Sequence, residues 1–229
     1  MIIGSGLLAR AFYPVYATDR HIIIYAAGVS NSSCNEPKEF KRERSQLKMA
    51  LEGRPASSTF VYFGTCSAGD PEMANSPYVK HKLEMEGLVQ EYSNYLIFRL
   101  PQLAGNTLNP HTLLNFLYAR IYRGELFSLW KKATRNVIDI DDVLVSVKRI
   151  IEQKKVQNSV LNIANPVNYT VTEIVETMEL VVGKKAVFEV VELGSDYLID
   201  ATDEFSKSLC FDENYLKKVL TKYYGSLHI

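Results

Sequence analysis

The chain has 229 residues with 26 basic and 26 acidic side chains, and that balance gives no electrostatic signature for nucleic acid or an anionic membrane. Hydrophobic residues make up 47%, enough for one domain with a sizeable core, or one domain carrying a small lobe, and this argues against disorder. Cys34, Cys66 and Cys210 show no paired spacing, which argues against a disulfide framework or zinc site and fits a reducing compartment. The start has neither the basic nor the apolar region of a signal peptide, and no apolar run nears the ~20 residues of a membrane span. A cytoplasmic protein is expected.

The elements alternate between strand-like and helix-like patterns, which predicts an α/β fold around a mainly parallel sheet. A minimal strand at Met1–Ile3 enters a glycine turn and then a helix from Leu7 to Tyr13, stopped by Pro14. His21–Ala27 is a β-branched run of buried-strand length. The charged segment Glu39–Leu51 reads as an amphipathic helix with Phe40, Leu47 and Leu51 as its apolar contacts. Thr59–Phe63 is a strand. Tyr78–Tyr92 is a helix, and Tyr95–Leu100 a strand ended by Pro101. Helices are expected at His111–Arg123 and Asp139–Gln153, then a strand at Val160–Ala164. Thr172–Val182 is a helix whose Thr170 and Glu173 resemble a capping box. A small strand at Val187–Val191 and a last helix near Glu213–Tyr224 complete the chain.

Gly4, Gly6 and Ala9 fit GxGxxA, the dinucleotide fingerprint at a first strand–helix junction. Gly4 permits the tight turn, Gly6 lets a phosphate approach the backbone, and the helix start offers free N–H groups and a positive dipole end. The fingerprint also expects an acidic residue closing a second strand about 20 residues on, to hold a ribose. Asp19 lies before the next strand rather than at its end, so the ribose role is not assigned to it; Arg10 and Arg20 could meet a 2′-phosphate, with plain surface arginines the favoured alternative.

Tyr78 and Lys82 form YxxxK at the opening of a strong helix, one turn apart on one face. An ammonium near a phenol lowers its pKa from about 10 toward neutrality, making it a proton donor and acceptor for a sugar hydroxyl. Lys80 and His81 read as solvated neighbours. The preceding strand ends in Thr65, Cys66 and Ser67. Thr65 is the first choice to hydrogen-bond a substrate oxygen and Ser67 the second. Cys66 reads as an inert packing residue, with no base placed to activate it.

AAGVSNS, the Thr65–Ser67 turn, YxxxK, RLPQLAGN and RNVIDIDDV occur in this order. Together they resemble the extended short-chain dehydrogenase/reductase superfamily, in its NAD-dependent epimerase/dehydratase branch acting on nucleotide sugars. The resemblance runs from Gly4 to about Tyr224. It implies a doubly wound, Rossmann-like parallel sheet with a small C-terminal substrate lobe. Residues 1–106 and 136–164 would form the cofactor-binding core, and 107–135 and 165–229 the interleaved lobe.

By similarity, Tyr78 is the acid/base, Thr65 its hydrogen-bonding partner, and Lys82 both tunes the tyrosine and binds the nicotinamide ribose of NAD or NADP. Gly4, Gly6 and Leu7 would face the pyrophosphate, while Ala26, Ala27, Gly28, Pro101 and Leu103 would line the cofactor. Ser67, Gln102, Asn106 and Arg135 would meet the nucleotide-sugar substrate, Arg135 through its diphosphate. Asn106 as a turn former and Arg135 as a partner of Asp139 or Asp141 remain the plain alternatives. Helices near Glu39–Leu51 and Tyr78–Tyr92 match those that pair in relatives, so a homodimer is expected by fold-level analogy.

Two departures stand out. The family's second and third strands are missing, so the sheet is expected to hold about five strands with the amino-terminal one near an edge. The turn after Thr65 also lacks the Asp-Glu pair of sugar 4,6-dehydratases, which disfavours dehydration. An NAD(P)-dependent nucleotide-sugar epimerase or 4-ketoreductase serving polysaccharide biosynthesis is the expectation. The rival is a non-catalytic nucleotide-sugar-binding or partner subunit.

Overall fold

A computed structural model describes residues 1–201 and 212–225; Cys210 lies outside the described residues. In chain order the elements are β1 (Ile2–Ile3), α1 (Leu7–Tyr16), β2 (Ile22–Tyr25), α2 (Pro37–Glu52), β3 (Thr59–Thr65), α3 (Pro77–Gln90), β4 (Tyr95–Leu100) and β5 (Gln102–Ala104). They continue as α4 (Leu113–Arg123), β6 (Phe127–Trp130), β7 (Thr134–Asp139), α5 (Ile140–Gln153), β8 (Ser159–Asn162), β9 (Asn168–Thr170), α6 (Val171–Val182), β10 (Phe188–Val191) and α7 (Tyr215–Tyr224). Among the described residues no helix is long and apolar enough to cross a membrane.

The chain forms two compact units. The first is Met1–Leu100 with Ile140–Ile163, and the second Pro101–Asp139 with Ala164–Ile229.

The first unit is a five-stranded sheet in the order β1-β2-β3-β4-β8, parallel at every pairing. Its central strands are apolar at almost every position because both faces are covered. Side chains alternate between faces. Phe60 and Tyr62 of β3 join Ile23, Tyr25, Ile97, Leu47, Leu51, Met85 and Val89 in a core under α2 and α3. Phe63 turns the other way and meets Phe12 of α1, ring centres 5.3 Å apart. Each such buried side chain contributes about 1.5–3 kcal/mol of burial energy, so the sheet is the fixed platform on which the ends of β2 and β3 are held.

Pro14 does not stop the first helix. α1 runs on to Tyr16 with Pro14 inside it, and Ala17 N–H still donates to the Tyr13 carbonyl. The proline removes one backbone hydrogen bond; buried Phe12 and Tyr16, whose rings stack at 6.2 Å, tie the last turn to the protein.

The second unit packs α4, α6 and α7 with two small sheets around Leu114, Leu117, Ile121, Val137, Ile174 and Leu220. One sheet has β5 parallel and β9 antiparallel to β7; the other pairs β6 with β10 in parallel. The capping box is present: Thr170 accepts from Glu173 N–H while the Glu173 carboxylate accepts from Thr170 N–H.

Candidate active site

Thr65 ends β3, and Tyr78 lies in the first turn of α3, whose start is set by Pro77 at a position that needs no N–H. The two side chains are neighbours whose hydroxyls interact electrostatically, and both are buried, at 6% and 7% exposure. Thr65 Oγ1 also accepts from Ser67 N–H at 3.2 Å, which fixes the hydroxyl and turns the chain after the strand. Burial pushes the Tyr78 phenol well above its ordinary pKa and the negative charge of Glu43 pushes it further, while the neighbouring Thr65 hydroxyl works the other way. Cys66 is buried, donates to the Arg99 carbonyl at 3.3 Å, and is pushed up to about 12 by burial. It is an unreactive thiol.

Lys82 points its ammonium elsewhere than sequence reasoning expects. It donates to Glu43 Oε1 at 3.0 Å, to Tyr62 Oη at 3.1 Å and to the Phe63 carbonyl at 3.5 Å. No hydrogen bond joins it to Tyr78 among the described residues. Glu43, on α2, is fully buried. Its Oε1 also accepts from Tyr62 Oη at 2.8 Å, and its Oε2 accepts from Val29 N–H at 2.7 Å and from His81 Nε2 at 3.0 Å. Burial alone would push this carboxyl up. The His81 bond, the Lys82 charge and the Val29 bond together outweigh it and hold Glu43 down to about 2.

His81 is therefore not a solvated helix-face residue. It is 5% exposed, bonded to Glu43 and stacked on Phe40 with ring centres 4.4 Å apart. Lys80 alone of the pair faces solvent. The run around Glu43 is dense in charge and so reads as an exposed helix. A signal was present, however: Glu43 stands at i, i+4, i+8 with Leu47 and Leu51, on the helix's apolar stripe.

The glycine turn packs against the end of β2. Gly4 has φ +129°, and a Cβ there would lie 2.4 Å from the Ala26 carbonyl oxygen, so only glycine fits. Gly6 caps α1 without a side-chain hydrogen bond or an acidic residue in the first turn. A Cβ at Gly6 meets nothing within 4 Å. A helix start without a side-chain cap, at a glycine with room around it and with Leu7 as the first helical residue, fits a phosphate. Ala26, Ala27 and Gly28 follow β2, and a Cβ at Gly28 would lie 2.5 Å from Lys82 Nζ and 2.9 Å from Glu43 Oε1. The phosphate-side turn, Lys82 and the Tyr78–Thr65 pair thus share one unit; the backbone donors of the turn fit a nucleotide phosphate, while the three hydrogens of Lys82 are engaged by Glu43, Tyr62 and Phe63.

The remaining candidates belong to the second unit. Gln102 and Leu103 lie on β5 opposite Val137 and Ile138, just after half-buried Pro101. Asn106 is exposed beyond that strand. Arg135, on β7, is half-buried and donates to its neighbour's Thr134 carbonyl at 2.6 Å. The Asp139 carboxylate accepts from Lys222 Nζ at 2.7 Å and Tyr223 Oη at 2.6 Å.

The profile of the NAD dependent epimerase/dehydratase family matches residues 20–164. The chain belongs to that family. No curated protein matches the sequence. Among solved structures, this epimerase/dehydratase chain is similar to RMD from Pseudomonas aeruginosa complexed with NADPH, at 14% identity, TM-score 0.76 and 98% coverage of both chains. It is similar to UDP-glucuronic acid 4-epimerase from Bacillus cereus in complex with NAD, at 18% identity and TM-score 0.72, covering 95% of this chain and 75% of that one. UDP-glucose 4-epimerase with UDP-glucose from Thermotoga maritima follows at 17% identity and TM-score 0.68, with 94% and 81% covered. At these identities the likeness establishes the fold.

Proposed function

We propose that this family member is an NAD(P)-dependent nucleotide-sugar epimerase or 4-ketoreductase in which Tyr78 is the acid/base. The observation that carries the reading is the buried Thr65–Tyr78 pair at the end of β3, in the same unit as a glycine turn with room for a phosphate. Thr65 holds the phenol oxygen and orients it toward a substrate hydroxyl or carbonyl, and Ser67 extends that polar edge. Tyr78 moves the proton at its Oη. The nicotinamide, when bound, supplies the hydride acceptor or donor. Gly4, Gly6 and Leu7 hold its phosphate side by backbone N–H groups, and Lys82 meets its ribose. In the second unit, Arg135 is the proposed diphosphate contact, with Gln102 and Asn106 as further substrate contacts. A cytoplasmic homodimer through α2 and α3 completes the reading, and sedimentation at working concentration tests the assembly.

The test is a panel of UDP-, GDP- and dTDP-linked hexoses and their 4-keto forms, followed by nicotinamide absorbance and product analysis. Tyr78→Phe is expected to lower turnover by about 10²–10⁴-fold while cofactor binding by calorimetry stays unchanged. Unaltered turnover in that variant overturns the assignment. One observation favours a second reading, a non-catalytic nucleotide-sugar-binding subunit: the Lys82 ammonium is held by Glu43 rather than beside the phenol. That reading predicts sugar-nucleotide binding without turnover in the wild type.

A further inference from the structure

We infer that this chain recognises the nicotinamide mononucleotide half of a pyridine dinucleotide and leaves the adenosine half unread. The inference rests on the nicotinamide-dependent reading of the site and names which part of the ligand that site takes. In a complete dinucleotide fold the first helix leads to a second strand on the far side of the first, and that strand closes on the carboxylate holding the adenosine ribose. Here α1 ends at Tyr16 and the next strand begins at Ile22. That strand pairs on the near side, with Ile2 opposite Ile24 and Ile3 opposite Tyr25, so the order starts β1-β2-β3. Among the described residues nothing pairs with the outer edge of β1, the edge along which an adenosine pocket is built.

The residues that stand where a ribose carboxylate belongs do not supply one. Twenty or so positions past the glycine turn lie Tyr25, Ala26 and Ala27, at the end of β2. The only acid in the short connection, Asp19, accepts from His21 N–H at 2.7 Å and Ile22 N–H at 3.2 Å, and so shapes its own turn. The phosphate side is intact by contrast. Gly4 is in a conformation reserved for glycine, Gly6 faces open space, and Gly28 lets β2 close on Lys82. Fingerprint and lysine have been kept while the adenosine half is missing. A 2′-phosphate, which sits on the adenosine ribose, would go unread as well, so NADH and NADPH should be equivalent.

Calorimetry on the full wild-type chain with NMNH, NADH and NADPH as separate titrants tests this. The three dissociation constants are expected to agree within about tenfold, because the charge-assisted bond of a ribose-binding carboxylate alone is worth more than about tenfold. Gly6→Val, whose side chain starts in open space, is expected to weaken all three together by about tenfold or more. A dinucleotide advantage above tenfold over NMNH overturns the inference and leaves the nicotinamide-dependent reading standing. Binding of all three unaffected by Gly6→Val also overturns it, since the ligand then sits elsewhere. Failure of all three to bind at millimolar concentration overturns the nicotinamide-dependent reading and this inference with it.

Discussion

Removing the Glu43 charge is the perturbation with the most consequences. The carboxylate is fully buried and accepts from Val29, His81, Tyr62 and Lys82. Lys82, 3% exposed, has no other anionic partner among its hydrogen bonds. Glu43→Ala strands a buried ammonium and is expected to cost about 3–5 kcal/mol, a large part of the 5–15 kcal/mol typical of a folded domain. Glu43→Gln keeps the shape and removes the charge, and its NH2 replaces an oxygen that accepts two of these bonds.

The same charge sets a pH dependence. Glu43 titrates near 2 in the folded protein against an ordinary 4.5, which corresponds to about 3 kcal/mol. A depressed acid stabilises the folded state fully above its unfolded pKa, and that contribution fades as pH falls from about 4.5 to about 2. Roughly 2 kcal/mol of it should be gone by pH 3. Urea unfolding followed by far-ultraviolet circular dichroism, with hydrogen exchange on α2 and α3, measures both proteins between pH 7 and pH 3. Other carboxylates titrate equally in wild type and Glu43→Gln, so the gap between the two should narrow by that amount. A gap that stays constant across the range refutes the charged-anchor reading.

Three further outcomes follow from the same geometry. Gly28→Ala places a methyl 2.5 Å from Lys82 Nζ and 2.9 Å from Glu43 Oε1, and overpacking of this kind should cost about 1–3 kcal/mol in urea unfolding; an unchanged midpoint would refute the contact. Gly4→Ala meets the rigid Ala26 carbonyl at φ +129°, where strain of about 1–3 kcal/mol should lower Tm by several degrees. Thr170→Ala removes one half of the capping box at α6 and should cost about 1 kcal/mol, read from the same unfolding curves, with Thr170→Ser restoring most of it.

The parts of this molecule legible from sequence are those whose cause is local. The α3 helix follows from Pro77 and the apolar positions behind it. β3 and β4 follow from unbroken aromatic and β-branched runs, and the early edge position of β1 from the shortness of the link to β2. No local pattern predicts the strands β5, β6, β7 and β9. Each is short, and each exists because a partner from elsewhere in the chain meets it, as Gln102 meets Val137 and Arg135 meets Tyr169. The site divides the same way. The Thr65–Tyr78 pair could be read from two local motifs, whereas the Glu43 cluster joins residues 38 and 39 positions apart. Propensity at Glu43 describes an exposed helix; burial between two helices and a strand end makes it an anchor.

The protonation state of Tyr78 then bears on which of the two proposed reactions the resting site suits. With Lys82 held by Glu43, burial and the Glu43 charge leave the phenol protonated across the neutral range. A neutral phenol beside Thr65 can give a proton to a carbonyl that receives a hydride, but it must lose a proton before it can accept one from a sugar hydroxyl. Reduction of a 4-keto sugar should therefore proceed at a rate that is flat from pH 6 to about 9, while the oxidative half of an epimerisation should rise with pH over the same interval. Single-turnover absorbance traces with a reduced nicotinamide nucleotide and a 4-keto nucleotide sugar measure the first, and the oxidised nucleotide with the 4-hydroxy sugar the second. Glu43→Gln, which removes a charge that raises the phenol's pKa, should move the oxidative profile toward lower pH. A reduction rate that falls near pH 7, or an oxidative profile unmoved in Glu43→Gln, would mean that Lys82 reaches the phenol when ligand is bound and that the Glu43 pair is only its resting place.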